Sequence, residues 1–229
     1  MSLGDVWLDV SGVSGVVRRS GGEGIPTVLI PGCGSDHRVF DALLDALSGR
    51  DVLVVCLPGR SGVPGPAPAT VAESASYVRR LLDALGMPRV VIGGHSYGGA
   101  ISIEFALANP ERVAGLVLID TGAKLKAHPD ILTGAEAAAK QDPVFEANLA
   151  DWRACHVFDR LQEVSEIRVP AIAIVGTDDV LTPLRYAQYL ADRISGCQLV
   201  TIAGADHYAP VTHPVEVGAA IERFLASVA

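Results

Sequence analysis

Cysteine is sparse and unpatterned in this chain: Cys33, Cys56, Cys155 and Cys197 show no CxxC spacing. That excludes a disulfide-stapled scaffold and suits free thiols in a reducing compartment. Positive charge is scarce too, with 18 Lys and Arg against 26 Asp and Glu, a formal charge of −8. No basic block interrupts the acidic excess, so neither nucleic acid nor an anionic membrane is expected as a partner. Uncharged apolar runs of bilayer-spanning length are missing. The opening MSLGDVWLDV lacks the basic and apolar regions of a secretory signal, which predicts a cytoplasmic protein. No HxxxH or His/Cys cluster has metal-ligand spacing, so no metal and no cofactor are expected.

What the chain does have is apolar residues, 49% of 229, and a strand–helix alternation along most of its length. That is enough for one domain with a sizeable core, of the α/β class. Val6–Val10 and Gly15–Arg18 read as an edge hairpin, and Gly21–Gly24 as a turn. Buried strands are expected at Thr27–Ile30, Asp51–Leu57 and Val90–Ile92, and further strands at Gly115–Asp120, Ala171–Val175 and Gln198–Ala203. Between them fall helices at about Val39–Leu47, Thr70 or Ser74 to Leu85, Ala100–Ala108, Pro183–Ile194 and Pro214–Ala226. Pro64–Ala69 is a stiff surface loop. Residues 121–166 break the rhythm with two helix-like pieces, about Ala135–Lys140 and Val144–Phe158, parted by Asp142-Pro143. A mostly parallel central sheet with helices on both faces follows, with functional residues expected at the carboxyl ends of the strands.

The most telling stretch is Pro88–Phe105, PRVVIGGHSYGGAISIEF. Its Gly94-x-Ser96-x-Gly98, set between a strand and a helix, has the spacing of a nucleophile elbow. A residue on so sharp a turn brings its neighbours at −2 and +2 against backbone, where only glycine lacks a clashing Cβ. The turn sets the Ser96 hydroxyl at the positive end of the following helix. A serine hydroxyl needs a neighbouring base to become a nucleophile at neutral pH, and histidine suits that task.

These features resemble the α/β-hydrolase fold family over nearly the whole chain. The PGCGSDHRVF, LPGRSG, GGHSYGG, GTDDVLTP and GADHYAPVTHP loops occur in the family's order. The resemblance implies a single domain over residues 1–229, with residues 121–166 as a short helical cap insertion. It implies Ser96 as nucleophile and His207 as base. The family's spacing from Gly176 to Pro183 favours Asp179 as the acid, with Asp178 as the alternate. The backbone N–H of Tyr97 follows the nucleophile and would donate to an oxyanion. By resemblance the second donor comes from Cys33, with Gly34 as the alternate. Pro31 stands where the family usually has a histidine, and Cys56 where it often has aspartate.

His95 is expected to pack against the elbow, while His128, His156 and His213 read as surface or cap residues. Pocket candidates are His37, Phe145, Trp152, Phe158 and Tyr208, the aromatics of the cap forming its underside over an open acyl pocket. The activity the resemblance implies is hydrolysis of small to medium carboxylic esters through an acyl-enzyme. The alternatives are C–C bond hydrolysis of dienoic or β-diketone-like compounds, a cofactor-free perhydrolase, and a catalytically silent ligand-binding protein of the same fold.

Overall fold

In the computed structural model, residues 4–10, 13–19, 22–60 and 62–228 are described, with side chains from residue 22 onward. One sheet of eight strands forms the centre: β1 (Gly4–Val10), β2 (Val13–Arg19), β3 (Glu23–Ile30), β4 (Arg50–Val55), β5 (Val90–His95), β6 (Val113–Ile119), β7 (Ala171–Gly176) and β8 (Gln198–Ile202). Their spatial order is β1-β2-β4-β3-β5-β6-β7-β8. The first two are an antiparallel edge hairpin, and β2 also meets β4 antiparallel. Every other neighbouring pair is parallel. The expected α/β fold with a mostly parallel sheet is what the chain adopts; the hairpin's tip, residues 11–12, lies outside the described residues.

Parallel strands buried on both faces need apolar side chains on both, and β5, β6 and β7 have no exposed residue. Alternate strand residues point to opposite faces. Val28, Ile30, Ile92, Leu116 and Leu118 join one core with α2 (Val71–Ala84), α3 (Tyr97–Ala108) and α6 (Arg185–Arg193). Leu29, Val91, Val117 and Ile119 join the other, against α1 (Asp41–Ala46) and α8 (Pro214–Val228). Each fully buried Leu or Ile contributes about 1.5–3 kcal/mol relative to exposure, so the sheet is a rigid platform for the loops at its carboxyl edge.

Several boundaries differ from the expectation for local reasons. Strand β3 starts at Glu23 rather than Thr27, because a register shift lets Glu23 pair with Arg50 across the glycines expected to turn. The helix expected at 39–47 begins as a 3₁₀ turn, His37–Phe40, capped by Asp36, before α1. Between β6 and β7 lie α4 (Pro129–Gln141) and α5 (Glu146–Val157), with a 3₁₀ turn at Pro143–Phe145. The first is longer than its periodicity suggested: His128 caps it and Pro129 stands at its first turn, where a missing N–H costs nothing. A short helix, α7 (Ala209–Thr212), begins inside the loop expected over Gly204–Pro210.

Candidate active site

The nucleophile-elbow spacing is a consequence of crowding. A Cβ at Gly98 would lie 1.9 Å from the Ile30 carbonyl oxygen, and one at Gly94 would lie 2.4 Å from the Gly98 carbonyl carbon. With those two positions bare, β5 turns into α3 through Ser96, whose φ of 52° and ψ of −115° are strained for a residue with a side chain. Helix bonds to the Ser96 carbonyl from Gly99 and Ala100, and a bond from Thr121 Oγ1 at 2.7 Å, hold it there. Its side chain leaves the sheet edge and meets His207.

Ser96 Oγ lies 3.0 Å from His207 Nε2, and His207 Nδ1 lies 2.9 Å from Asp179 Oδ2. All three residues are buried: Ser96 arrives from the end of β5, Asp179 from the loop after β7 and His207 from the loop after β8. Asp179 is further held by the Leu181 and Thr182 N–H groups, each donating to Oδ1 at 2.8 Å, and by Thr182 Oγ1 at 2.7 Å from Oδ2. Burial raises its carboxyl, and the bonds from His207 and Thr182 more than reverse that, leaving it at about 2. The neighbouring Asp178 is turned outward, accepting from Thr177 Oγ1 at 3.0 Å on the exposed side of the loop. Of the two aspartates, Asp179 alone meets His207.

The loop after β3 runs beside the serine, with Gly32 so close that a Cβ there would stand 3.3 Å from Ser96 Cβ. The alternate donor Gly34 is already engaged: its N–H donates to Asp151 Oδ2 at 3.2 Å. Asp151 is buried on α5 and ion-paired with Arg60, so a tether from α5 fixes this loop. Tyr97 is the first residue of α3, and its N–H has no partner within the helix. Cys33 Sγ lies 3.4 Å from Cys155 Sγ, and burial pushes the Cys33 thiol well above its usual range, which leaves it a poor nucleophile.

A cavity of about 510 Å³ opens over Ser96 and His207. Of the expected aromatics it takes only Trp152, beside Leu125, Ile131, Cys155 and Tyr186. The other candidates fall elsewhere. Phe158 is buried in the core at the end of α5, where its carbonyl binds the Leu125 N–H. Phe145 stands half exposed in the 3₁₀ turn before α5. His37 is buried with Nδ1 3.5 Å from Cys56 Sγ, and Tyr208 is half exposed, its ring 5.7 Å from that of His207. His128, expected as a surface or cap residue, is exposed and lines the cavity.

Asp120 has a place that no motif in the sequence marks. Asp120 directly follows β6, at a φ of 45°, and is fully buried. One carboxylate oxygen accepts the Gly176 N–H at 3.0 Å, the other the Ala209 N–H at 3.2 Å. It therefore braces both loops that carry Asp179 and His207. Burial, reinforced by the nearby Asp179 charge, raises its carboxyl to about 7. The signal in the sequence was an aspartate closing an apolar strand, GLVLID, with no solvent-side reason to be there. Among the described residues, no group of three or more His, Cys, Asp or Glu side chains is placed to hold a metal. No helix there is long and apolar enough to cross a membrane.

Comparison with known proteins agrees with this architecture. The pattern described as the alpha/beta hydrolase family matches residues 27–220. A pimeloyl-acyl-carrier-protein methyl ester esterase of Neisseria meningitidis is 28% identical over 90% of this chain and 95% of its own length. The polyketide synthase ThaQ of Burkholderia thailandensis is 30% identical over 90% of this chain, which spans only 12% of that much longer protein. Among solved structures, a thermophilic esterase superposes with a TM-score of 0.84 at 30% identity, covering 99% of both chains.

Proposed function

This chain belongs to the alpha/beta hydrolase family, and we propose that within it the protein is a serine hydrolase that cleaves carboxylic esters of small to medium size through an acyl-enzyme. The observation that carries the reading is the unbroken hydrogen-bonded line from Ser96 Oγ through the His207 imidazole to the Asp179 carboxylate. The esterases among its relatives support the reaction class.

In this mechanism the ionised Asp179 accepts the His207 Nδ1–H, which leaves Nε2 as the acceptor for the Ser96 hydroxyl proton. As His207 takes that proton, Ser96 Oγ attacks the ester carbonyl. Negative charge gathers on the carbonyl oxygen, where the N–H groups of Tyr97 and Cys33 receive it. Each such donor contributes about 2.7–4 kcal/mol to the transition state. The imidazolium then gives its proton to the departing alcohol. A water, deprotonated by His207 in turn, attacks the acyl-Ser96 carbonyl; the acid leaves as Ser96 Oγ takes the proton back from His207. Residues 121–166 act as the short cap, with α5 closing one side of the cavity through Trp152 and Cys155.

The test is release of p-nitrophenol from p-nitrophenyl butyrate by wild type and Ser96→Ala. Release that vanishes in the variant supports the reading. No release by wild type, or release that survives the substitution, contradicts it.

A further inference from the structure

The cavity over Ser96 has a neighbour. A second cavity, of about 300 Å³, shares Lys126 and Tyr186 with it and adds Lys124, Leu161, Arg185 and Tyr189. The two therefore adjoin along one wall, with the nucleophile on one side and a basic groove on the other. In a chain of net charge −8, neither lining contains an Asp or Glu. The only lysines in the sequence are Lys124, Lys126 and Lys140, and two of them stand in this groove.

Their charges are not equally spent. Lys124 Nζ is 2.6 Å from Asp159 Oδ2 and is neutralised. Lys126 and Arg185 make no ion pair among the described residues, although carboxylates outnumber cations in the chain. The Arg185 guanidinium is instead laid 5.2 Å from the centroid of the Tyr186 ring, the shared wall of the two cavities. That ring is itself fixed, because it packs onto Gly122 so closely that a Cβ there would lie 2.4 Å from Tyr186 Cδ1. Arg185 also opens α6, whose first turn has no side-chain cap, so the helix adds positive potential at the same place. Two uncompensated cations beside the wall that the two cavities share suit a ligand with an apolar stem and an anionic end.

We propose that this groove is a subsite for a carboxylate carried by the substrate away from its scissile bond, so that the preferred substrates are half-esters of dicarboxylic acids or closely related carboxylate-bearing esters. The inference rests on the ester-hydrolase reading of Ser96. The acyl chain runs from Ser96 along Leu125 and Tyr186, and its far carboxylate sits between Lys126 and Arg185. A neutral ester of the same length fills the cavity without using either charge.

The experiment compares kcat/KM for monomethyl esters of straight-chain dicarboxylic acids, succinate through azelate, with that for the corresponding dimethyl esters. It uses wild type, Arg185→Gln and Lys126→Glu. At low salt, one chain length should be favoured as the half-ester by about tenfold or more, through KM, since a bond to a charged group contributes about that much. Raising ionic strength to about 0.5 M should shrink the ratio in wild type itself, because exposed charges are screened. Arg185→Gln should lower the ratio and Lys126→Glu should invert it. Because the ratio is taken within each protein, partial loss of active enzyme cancels. Wild type that prefers the dimethyl esters at every length, or a preference indifferent to both salt and Lys126→Glu, overturns the subsite. Failure of wild type to hydrolyse either series or p-nitrophenyl butyrate overturns the ester-hydrolase reading instead.

Discussion

His95 Nε2 lies 2.6 Å from the carbonyl oxygen of His207, so the residue before the candidate nucleophile holds the backbone of the candidate base. The bond needs a proton on Nε2. His95 is fully buried, and burial, with the nearby His207, lowers it to about 4, so the ring is neutral through the working range and donates. His95→Ala should lower kcat by about 10- to 100-fold with little change in KM, since an ångström of misplacement has that scale of effect. His95→Gln, which keeps a donor, should recover part of the loss. In NMR titrations the His95 ring should hold its neutral shifts down to about pH 5. Titration near pH 6.5 would contradict the assignment.

The acid assignment separates two adjacent carboxylates. Asp179→Asn should reduce kcat by up to about 10⁴, as loss of the tautomer-fixing partner does elsewhere. Asp178→Asn removes only a partner of Thr177 and should stay within a few-fold of wild type. Steady-state kinetics of the two variants decide the matter, and the reverse ranking would transfer the role to Asp178.

Asp120 makes a prediction about stability. Its folded value, about 7, lies above that of an exposed aspartate, about 3.9, so the folded chain keeps a proton that the unfolded chain releases in that window. Stability from this group is therefore full below about pH 4 and lost as pH rises through 7. Asp120→Asn has no proton to release. The stability of wild type minus that of the variant, from urea unfolding, should fall with rising pH by up to about 1.4 kcal/mol per unit between pH 4 and 7. A gap that widens with pH would show the carboxylate to be favoured in the fold.

Gly98→Ala tests the steric account of the elbow. The added methyl would overlap the Ile30 carbonyl, which is strand backbone and cannot rotate away. The variant should lose at least about 1–3 kcal/mol of stability, the usual cost of overpacking, and activity with it. A variant as stable as wild type would mean the turn has slack that the crowding at Gly94 and Gly98 does not suggest.

Strands β5, β6 and β7 were legible because residues buried on both faces must be apolar, and the elbow because close backbone approach admits only glycine. The three residues of the Ser96–His207–Asp179 line lie in loops beyond strands, but it is the resemblance of those loops to the family's motifs, rather than the strand pattern, that singles them out. The pocket wall was not legible. Trp152 and Phe158 are both aromatics of the cap, but Trp152 stands within α5 and lines the cavity, whereas Phe158 follows the last residue of α5 in extended backbone and joins the core. Such a choice depends on how the helix sits on the sheet, which local periodicity does not encode. The role of Asp120 is not legible for a related reason: its partners, Gly176 and Ala209, are distant in sequence and offer only backbone N–H groups.

The most direct test of an acyl-enzyme on Ser96 is intact-protein and peptide mass spectrometry after exposure to an alkyl fluorophosphonate. One equivalent should add to wild type, on the peptide containing Ser96, and none to Ser96→Ala; His207→Ala should react far more slowly. Labelling of another residue, or equal labelling of wild type and Ser96→Ala, would contradict the account.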